Sequence, residues 1–137
     1  MKEGFVELRK ADLPSRHESV SVVENMIDEV CKTLHVNGDN YGNILIAVTE
    51  AVNNAIEHGN CMTSSIHFSI SVGDSDSQFC FTVSDQGRGF DYLNLPDPTS
   101  PENLLKENGR GIFLMKSLSD EVVFEDAGSC VTVYFNK

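Results

Sequence analysis

Residues 43–60, NILIAVTEAVNNAIEHGN, constrain the fold more than any other stretch, because their apolar residues recur at the spacing of a helix. At roughly 100° per residue these side chains form one continuous face. They are Ile44, Leu45, Val48, Ala51, Val52, Ala55 and Ile56. We predict an amphipathic helix whose apolar face lies in a protein core, and we expect Gly59 to cap its C-terminus in the left-handed conformation.

The opposite side of this helix carries polar groups that are suited to chemistry. Glu50 and Asn54 are four residues apart, and Asn53 and Glu57 fall beside them, so carboxylate and amide groups line this side within two turns. Groups placed in this way can hold a metal ion and move a proton. The alternative is that they form only the solvated face of an amphipathic helix. The helix taken alone does not decide between these interpretations.

The other periodic segments predict two helices followed by the main part of a sheet. In chain order we expect an edge strand at residues 4–10, a helix opened by a capping box of Ser15 and Glu18, the helix at 43–60, strands at 64–72 and 78–84, a helix that begins after Gly111, and strands at 121–126 and 129–136. The strands at 64–72 and 78–84 alternate apolar and polar residues and form an antiparallel hairpin. One face of this hairpin should cover the helices.

Length and charge narrow the class of protein. A chain of 137 residues is near the usual size of one domain, so we expect a single domain over residues 1–137. Lys and Arg number 10 against 21 Asp and Glu, which gives a net charge of -11. A surface this acidic repels phosphate backbones and anionic lipids, so we expect neither nucleic acid nor membrane as a partner. The charged N-terminus and the absence of a long apolar run predict a cytoplasmic protein.

The regular pattern stops over residues 85–111, and the glycines of this stretch cluster at its two ends. A connection this long is usually either functional or disordered. The first cluster, Asp85-x-Gly87-x-Gly89-Phe90, follows a predicted strand directly. Glycines let the backbone pass close to a ligand, and an aspartate there can accept a hydrogen bond from an exocyclic amine such as that of adenine. The alternative is a simple turn.

The second cluster, Gly109-Arg110-Gly111, is followed at once by a predicted helix. Backbone amides in such a segment can point at an anion, and the N-terminus of the helix adds positive potential. The segment therefore predicts a phosphate site without a Walker lysine. The alternative is a flexible loop hinge.

Taken together, three motifs resemble the boxes of the Bergerat ATP-binding fold (the GHKL superfamily), which gyrase, heat-shock chaperone, histidine kinase and mismatch-repair ATPases share. They are Glu50-x-x-x-Asn54, Asp85-x-Gly87-x-Gly89-Phe90, and Gly109-Arg110-Gly111 followed by Ile112, Phe113 and Leu114. The resemblance covers nearly the whole chain, and TEAVNNAIEHG looks most like the bacterial anti-sigma-factor serine/threonine kinases. It implies an α/β (α+β) two-layer sandwich, with a mixed, mainly antiparallel sheet, helices on one face, and an ATP lid at about 91–110.

The resemblance also implies ATP and Mg²⁺ as cofactors, and a role for each site residue. Glu50 would be the general base, and Asn54 would coordinate a magnesium ion that bridges the ATP phosphates. Asp85 would read the adenine amino group with help from the hydroxyl of Thr132. The remaining implied contacts are Gly87 and Gly89 to the base, and Gly109, Arg110, Gly111, Ile112 and Phe113 to the phosphates.

One position departs from the family's pattern. The best-known kinases of this group carry a basic lid residue two positions before the first glycine of the Gly-x-Gly cluster, whereas this chain has Glu107 there, with Lys106 beside it. A carboxylate does not neutralise a phosphate. Either Lys106 or Arg110 therefore substitutes, or phosphoryl transfer is slow and the domain mainly binds nucleotide.

By resemblance, the leading function is an ATP-dependent serine/threonine kinase and anti-sigma factor of a partner-switching system. Its substrate would be a small anti-anti-sigma protein, its second partner a sigma factor, and its state a homodimer, for which the edge strand at residues 4–10 offers a pairing surface. The enzymatic alternative is an ATPase in which Glu50 activates water. The non-enzymatic alternative is a nucleotide-dependent binding module.

Overall fold

The structure, a computed structural model, describes residues 1–61, 63–87 and 107–137. In the described residues, one strand is followed by two helices, two strands, a third helix and two final strands. In chain order they are strand β1 (Val6–Pro14), helix α1 (Glu18–Thr33), helix α2 (Gly38–Asn54), a π-helical turn (Ala55–Gly59), strands β2 (His67–Asp74) and β3 (Gln78–Ser84), helix α3 (Glu107–Leu118), strand β4 (Glu121–Glu125), a 3₁₀ turn (Asp126–Gly128) and strand β5 (Cys130–Asn136). Residues 55–59 continue α2 as one wider turn.

The described strands form a five-stranded sheet in the order β1-β2-β3-β5-β4. Each pairing between neighbouring strands in this sheet is antiparallel. Strand β5 lies between β3 and β4. It pairs with β3 in a register that places Ser84, the last residue of β3, opposite Cys130, the first residue of β5. This arrangement places residue 85 beside residue 129, although the two are far apart in the sequence.

A single cluster of buried apolar side chains joins the helices to one face of the sheet. Val23 and Ile27 of α1, Val48 and Val52 of α2, and Phe81 of β3 are all inaccessible to solvent. Removing such side chains from water is the main favourable contribution to folding. The apolar face predicted for α2 and the predicted two-layer sandwich with helices on one face of the sheet are therefore confirmed.

The capping box predicted at Ser15 and Glu18 is wrong. Strand β1 continues to Pro14, because an edge strand tolerates a proline that lacks the backbone N–H. Helix α1 begins only at Glu18, with His17 as its N-cap residue. Ser15 is fully buried, and its Oγ donates a hydrogen bond to the carbonyl of Ile66 at 2.6 Å. Its hydroxyl therefore belongs to the junction with β2 and not to the start of the helix.

Helix α2 begins earlier than predicted, at Gly38. Asn37 is its N-cap, because the Asn37 Oδ1 atom accepts a hydrogen bond from the N–H of Asp39 at 2.9 Å. The apolar periodicity is regular only from Ile44 onward, because Gly42 and Asn43 in the first part of the helix are exposed.

None of the helices in the described ranges is both long and apolar enough to cross a membrane.

Candidate functional site

The carboxylate of Asp85 lies against the backbone of Gly59, where α2 and its π-helical turn end. A Cβ atom added to Gly59 would lie 2.3 Å from both the Cγ and the Oδ2 of Asp85. Likewise, a Cβ atom on Gly87 would lie 2.2 Å from the carbonyl oxygen of Gly59. Both contacts are too close for any residue other than glycine, so these two glycines allow the segments to touch.

Gly59 does not have the left-handed conformation predicted for a C-terminal cap. The positive-φ glycines of the described chain are Gly4 and Gly128. The helix instead passes through the π-helical turn and ends when the N–H of Asn60 donates to the carbonyl of Ala55 at 2.8 Å. Glycine is required at position 59 because of close packing against Asp85, not because of the backbone angle.

Two further hydrogen bonds hold Asp85 at the end of β3. Its backbone N–H donates to the carbonyl of Ser129 at 2.9 Å, and its Oδ1 accepts from the N–H of Gly87 at 2.7 Å. Burial raises the pKa of the Asp85 carboxyl, and the Gly87 N–H offsets only part of this rise. The structure therefore presents a fixed, partly buried carboxyl group.

An apolar cavity opens beside Asp85. Alternating residues of the strands and one face each of α2 and α3 supply its walls, which are Ala51, Ala55, Val83, Ile112, Met115, Phe124, Gly128 and Val131. Polar groups enter it at Asn54, His58, Asp85 and Ser129, beside Gly59. Apolar walls with a few convergent polar groups are typical of a small-molecule site.

A second, polar cavity shares Asn54 and His58 with the first. Glu50, Asn53, Glu57, Arg110, Gly111 and Leu114 complete its lining. The two predicted motifs on α2 and α3 meet here, since a Cβ atom on Gly111 would lie 2.9 Å from Glu50 Oε2 and 3.6 Å from Asn54 Oδ1. The Oε1 atom of Glu57 is 3.8 Å from Nε2 of His17, which is the N-cap residue of α1.

The predicted helix start after Gly111 is wrong, because α3 already begins at Glu107. Residues 107–110 contain no apolar side chain, so the periodicity of the sequence did not reveal this first turn. Gly109, Arg110 and Gly111 therefore belong to the N-terminal part of α3. Of the predicted phosphate contacts, Ile112 lines the apolar cavity, whereas Phe113 is 45% exposed and lines neither cavity.

Thr132 does not reach either cavity. Its neighbour Val131 lines the apolar cavity, and successive side chains of a strand point to opposite faces. The Thr132 hydroxyl is instead buried on the far face of the sheet, 3.0 Å from the hydroxyl of Thr82. The hydroxyl-bearing residue that lines the cavity with Asp85 is Ser129, which sequence reasoning missed and which only the register of β3 against β5 reveals.

Some predicted site residues lie outside the described ranges. These are Gly89, Lys106 and the part of the predicted ATP lid that precedes residue 107. In the described part of the chain, no group of three or more His, Cys, Asp or Glu side chains could hold a metal ion.

Comparison with known proteins identifies the family of the chain. The sequence profile of the family described as "Histidine kinase-like ATPase domain" matches residues 13–135. The chain is 32% identical over 144 aligned positions to the serine-protein kinase RsbW of Staphylococcus aureus (strain JH9), covering 96% of this chain and 86% of the relative. It is 31% identical to the serine-protein kinase RsbW of Staphylococcus epidermidis over the same shares of the two chains.

A solved structure also shares the fold. The RsbU and RsbW domains of Rv1364c from Mycobacterium tuberculosis superpose with a TM-score of 0.57 at 17% identity, covering 93% of this chain. The match spans only 32% of that longer chain. The family profile, the relatives and the shared fold confirm the resemblance predicted from the three motifs, and the chain belongs to the histidine kinase-like ATPase domain family.

Proposed function

We propose that this protein is a Mg-ATP-dependent serine/threonine kinase and anti-sigma factor of a partner-switching system, whose substrate is a small anti-anti-sigma protein and whose second partner is a sigma factor. The observation that carries the proposal is the junction of the two cavities at Asn54 and His58. An elongated ligand with an apolar end and a polar end would span both cavities. The serine-protein kinase RsbW relatives support the kinase activity.

The apolar cavity receives the adenine in this proposal. The carboxylate of Asp85 accepts a hydrogen bond from the exocyclic amino group, and the Ser129 hydroxyl is the second polar contact. The close contacts of Gly59 and Gly87 keep side chains away from this edge of the site. Gly89 is expected to admit the base as well. The apolar walls exclude water, which strengthens the hydrogen bond to Asp85.

The polar cavity receives the phosphates. The first N–H groups of an α-helix have no partner within the helix, so the N-terminal part of α3, including Gly109, can donate to phosphate oxygens. Arg110, which lines this cavity, supplies positive charge, and Lys106 is the second proposed cation. Gly111 lets α3 approach Glu50 and Asn54, so that the phosphates lie next to both side chains.

Asn54 is the proposed magnesium ligand. An amide oxygen is a hard donor of the kind that Mg²⁺ accepts, and this ion usually completes its shell with phosphate oxygens and water. When bound, the ion supplies charge neutralisation on the phosphates. Asn54 fits this role because it lines both cavities and therefore lies where the base and the phosphates of one nucleotide would meet.

Glu50 is the proposed general base. Its carboxylate lies in the polar cavity, where it can accept the proton of an acceptor serine as the hydroxyl oxygen attacks the terminal phosphorus and the bond to the bridging oxygen breaks, releasing ADP. The alternative function is an ATPase or an ATP-binding regulatory module without protein kinase activity. The sequence has Glu107 at the position where a basic lid residue is expected, which favours this alternative. Glu57, a second carboxylate beside Glu50 in the polar cavity, also favours it because a carboxylate opposes the charge of a phosphate.

We also propose that the protein acts in the cytoplasm as a homodimer. Each copy consists of one ATP-binding domain over residues 1–137. Strand β1 is an edge of the sheet, and its Val6 and Leu8 side chains are 65% and 43% exposed. Such an edge is available for pairing with a second copy. A monomeric mass by light scattering at micromolar concentration would contradict this part of the proposal.

Labelled ATP distinguishes the three functions. The protein is incubated with [γ-³²P]ATP and candidate anti-anti-sigma proteins, and each acceptor is compared with its Ser→Ala variant. Label on the acceptor serine supports the kinase, release of free phosphate supports the ATPase, and bound but unchanged ATP supports the binding module. Failure to bind ATP would contradict all three.

A further inference from the structure

We infer that Asn60 is a positioning residue for recognition of the base: its side-chain amide holds the loop that carries Asp85 and Gly87 against the end of α2. The inference rests on the proposed nucleotide site, because it assigns Asn60 to the selection of adenine over other bases. Asn60 itself touches neither cavity. It acts through the backbone of Gln86, which lies between Asp85 and Gly87 in the chain.

The side-chain oxygen of Asn60 is committed to this loop. Asn60 follows the π-helical turn directly and is only 3% exposed. Its Oδ1 accepts a hydrogen bond from the backbone N–H of Gln86 at 2.8 Å. Wider helical turns of this kind are frequent at functional sites, and here the turn brings the Asn60 side chain to the loop.

The side-chain nitrogen of Asn60 fixes the orientation of the amide. Asn60 Nδ2 donates to Ser15 Oγ at 2.9 Å and to the carbonyl of His67 at 3.2 Å. Because a carbonyl oxygen only accepts, the NH₂ group must face His67 and the oxygen must face Gln86. Ser15, fully buried, donates in turn to the carbonyl of Ile66 at 2.6 Å. The amide therefore has one preferred orientation.

Three successive N–H groups define the loop. The N–H of Asp85 donates to Ser129, that of Gln86 to Asn60, and that of Gly87 to the Asp85 carboxylate. The first bond ties the loop to β5, and the third is internal to the loop. The bond to Asn60 ties it to the end of the helical segment formed by α2 and the π-helical turn, whose residues Asn54 and His58 border both cavities. Loss of this bond should let the Asp85 carboxylate move relative to the rest of the site.

The ratio of GTP to ATP dissociation constants tests this role. A fixed carboxylate favours the amino group of adenine and disfavours the carbonyl oxygen that guanine presents at the same ring position. We expect Asn60→Ala to lower this ratio about 3- to 10-fold, the loss of roughly one hydrogen bond. Isothermal titration calorimetry with both nucleotides measures the ratio, and thermal unfolding shows that each variant is folded.

Ser15→Ala is the matched control. It removes the partner at the other end of the same buried network but leaves the bond between Asn60 and Gln86, so it should lower the melting temperature without changing the nucleotide ratio. Asn60→Ser is a second variant, for the case that Asn60→Ala does not fold. Its hydroxyl preserves a polar atom, yet its side chain is too short to reach the Gln86 N–H, so the ratio should fall as for alanine.

The outcomes separate this inference from the proposed function. A folded Asn60→Ala or Asn60→Ser variant with an unchanged ratio would overturn the inference, as would an equal loss of the ratio in Ser15→Ala. Binding of neither nucleotide by the wild-type protein would overturn the proposed function and the inference with it. Equal binding of ATP and GTP by the wild-type protein would overturn base reading by Asp85 and the role of Asn60.

Discussion

The Cα atom of Gly59 lies so close to the carboxylate of Asp85 that a Cβ atom would be 2.3 Å from the carboxylate carbon. Gly59 ends the helical segment that carries Glu50 and Asn54, and Asp85 directly follows β3. The contact therefore joins the two parts of the proposed nucleotide site, one for the phosphates and one for the base.

Gly59→Ala should reduce ATP affinity by about 10-fold or more, because overpacking at this contact costs about 1–3 kcal/mol and displaces Asp85. Calorimetric titration with ATP measures the change. Gly42→Ala is the matched control in the same helix, since a Cβ atom there meets nothing within 4 Å. The control should stabilise the helix by up to about 1 kcal/mol and leave ATP binding unchanged. Equal ATP affinities in both variants would contradict the proposed contact between Asp85 and the base.

Glu50→Ala should abolish phosphoryl transfer while leaving nucleotide binding largely intact. Removal of a general base typically slows a reaction by about 10²- to 10⁴-fold. Transfer of label from ATP to the acceptor and the dissociation constant of ATP are measured on the same preparation. Glu57→Ala, in the same cavity, controls for the loss of a carboxylate. If transfer and binding disappear together in Glu50→Ala, the base assignment is wrong or the helix is damaged.

Asn54→Ala should weaken ATP binding in the presence of magnesium more than in the presence of a chelator, because the amide oxygen is the proposed protein ligand of the ion. The measurement is the ATP dissociation constant with Mg²⁺ and with EDTA, for wild type and variant. An unchanged affinity in the presence of Mg²⁺ would remove Asn54 from the metal shell.

The hydroxyls of Ser129 and Thr132 should have separable effects. Thr132→Val breaks the buried contact with Thr82 and should lower the free energy of unfolding by about 1 kcal/mol without affecting ATP binding. Ser129→Ala should instead weaken ATP binding a few-fold at nearly unchanged stability, because Ser129 lines the cavity and its hydroxyl donates to the carbonyl of Asp126 in an exposed turn. Denaturant unfolding and calorimetric titration test both variants. The reverse pattern would place the base contact at Thr132.

Asp85→Asn should remove a pH-dependent cost of folding. The pKa of Asp85 is raised by burial, so the folded protein binds the proton more tightly than the unfolded chain does. The free energy of unfolding contributed by this group therefore falls as pH rises from the ordinary pKa of an aspartate to the raised value. Asparagine carries no charge and therefore lacks this pH-dependent cost of folding. Its NH₂ group cannot accept a hydrogen bond from the amino group of adenine.

The variant should thus equal the wild type in stability at pH below the ordinary aspartate pKa and exceed it above the raised pKa, with weaker ATP binding at neutral pH. Denaturant unfolding across this pH range provides the comparison. A stability difference that does not change with pH would contradict the raised pKa of Asp85.

Local patterns in the sequence were sufficient to predict the apolar face of α2 and the β2–β3 hairpin, whereas the two-layer fold was predicted from the family resemblance. Helical and strand periodicities are properties of consecutive residues, so they can be read without knowing the partners. The same patterns selected Glu50, Asn54 and Gly111, which the structure places at one cavity. The start of α3 was missed because its first turn lacks apolar residues.

The packing of distant segments determined the remaining assignments. Whether Ser129 or Thr132 lies beside Asp85 depends on the register of β5 against β3, and a shift of one residue reverses the faces of a strand. From its local sequence Gly59 resembles a helix cap, whereas in the structure it packs against Asp85. Ser15 resembles an N-cap until Asn60 and Ile66 are found to bond to it. In each case the contact that determines the role of the residue joins segments far apart in the chain. The local sequence around one partner cannot identify the other.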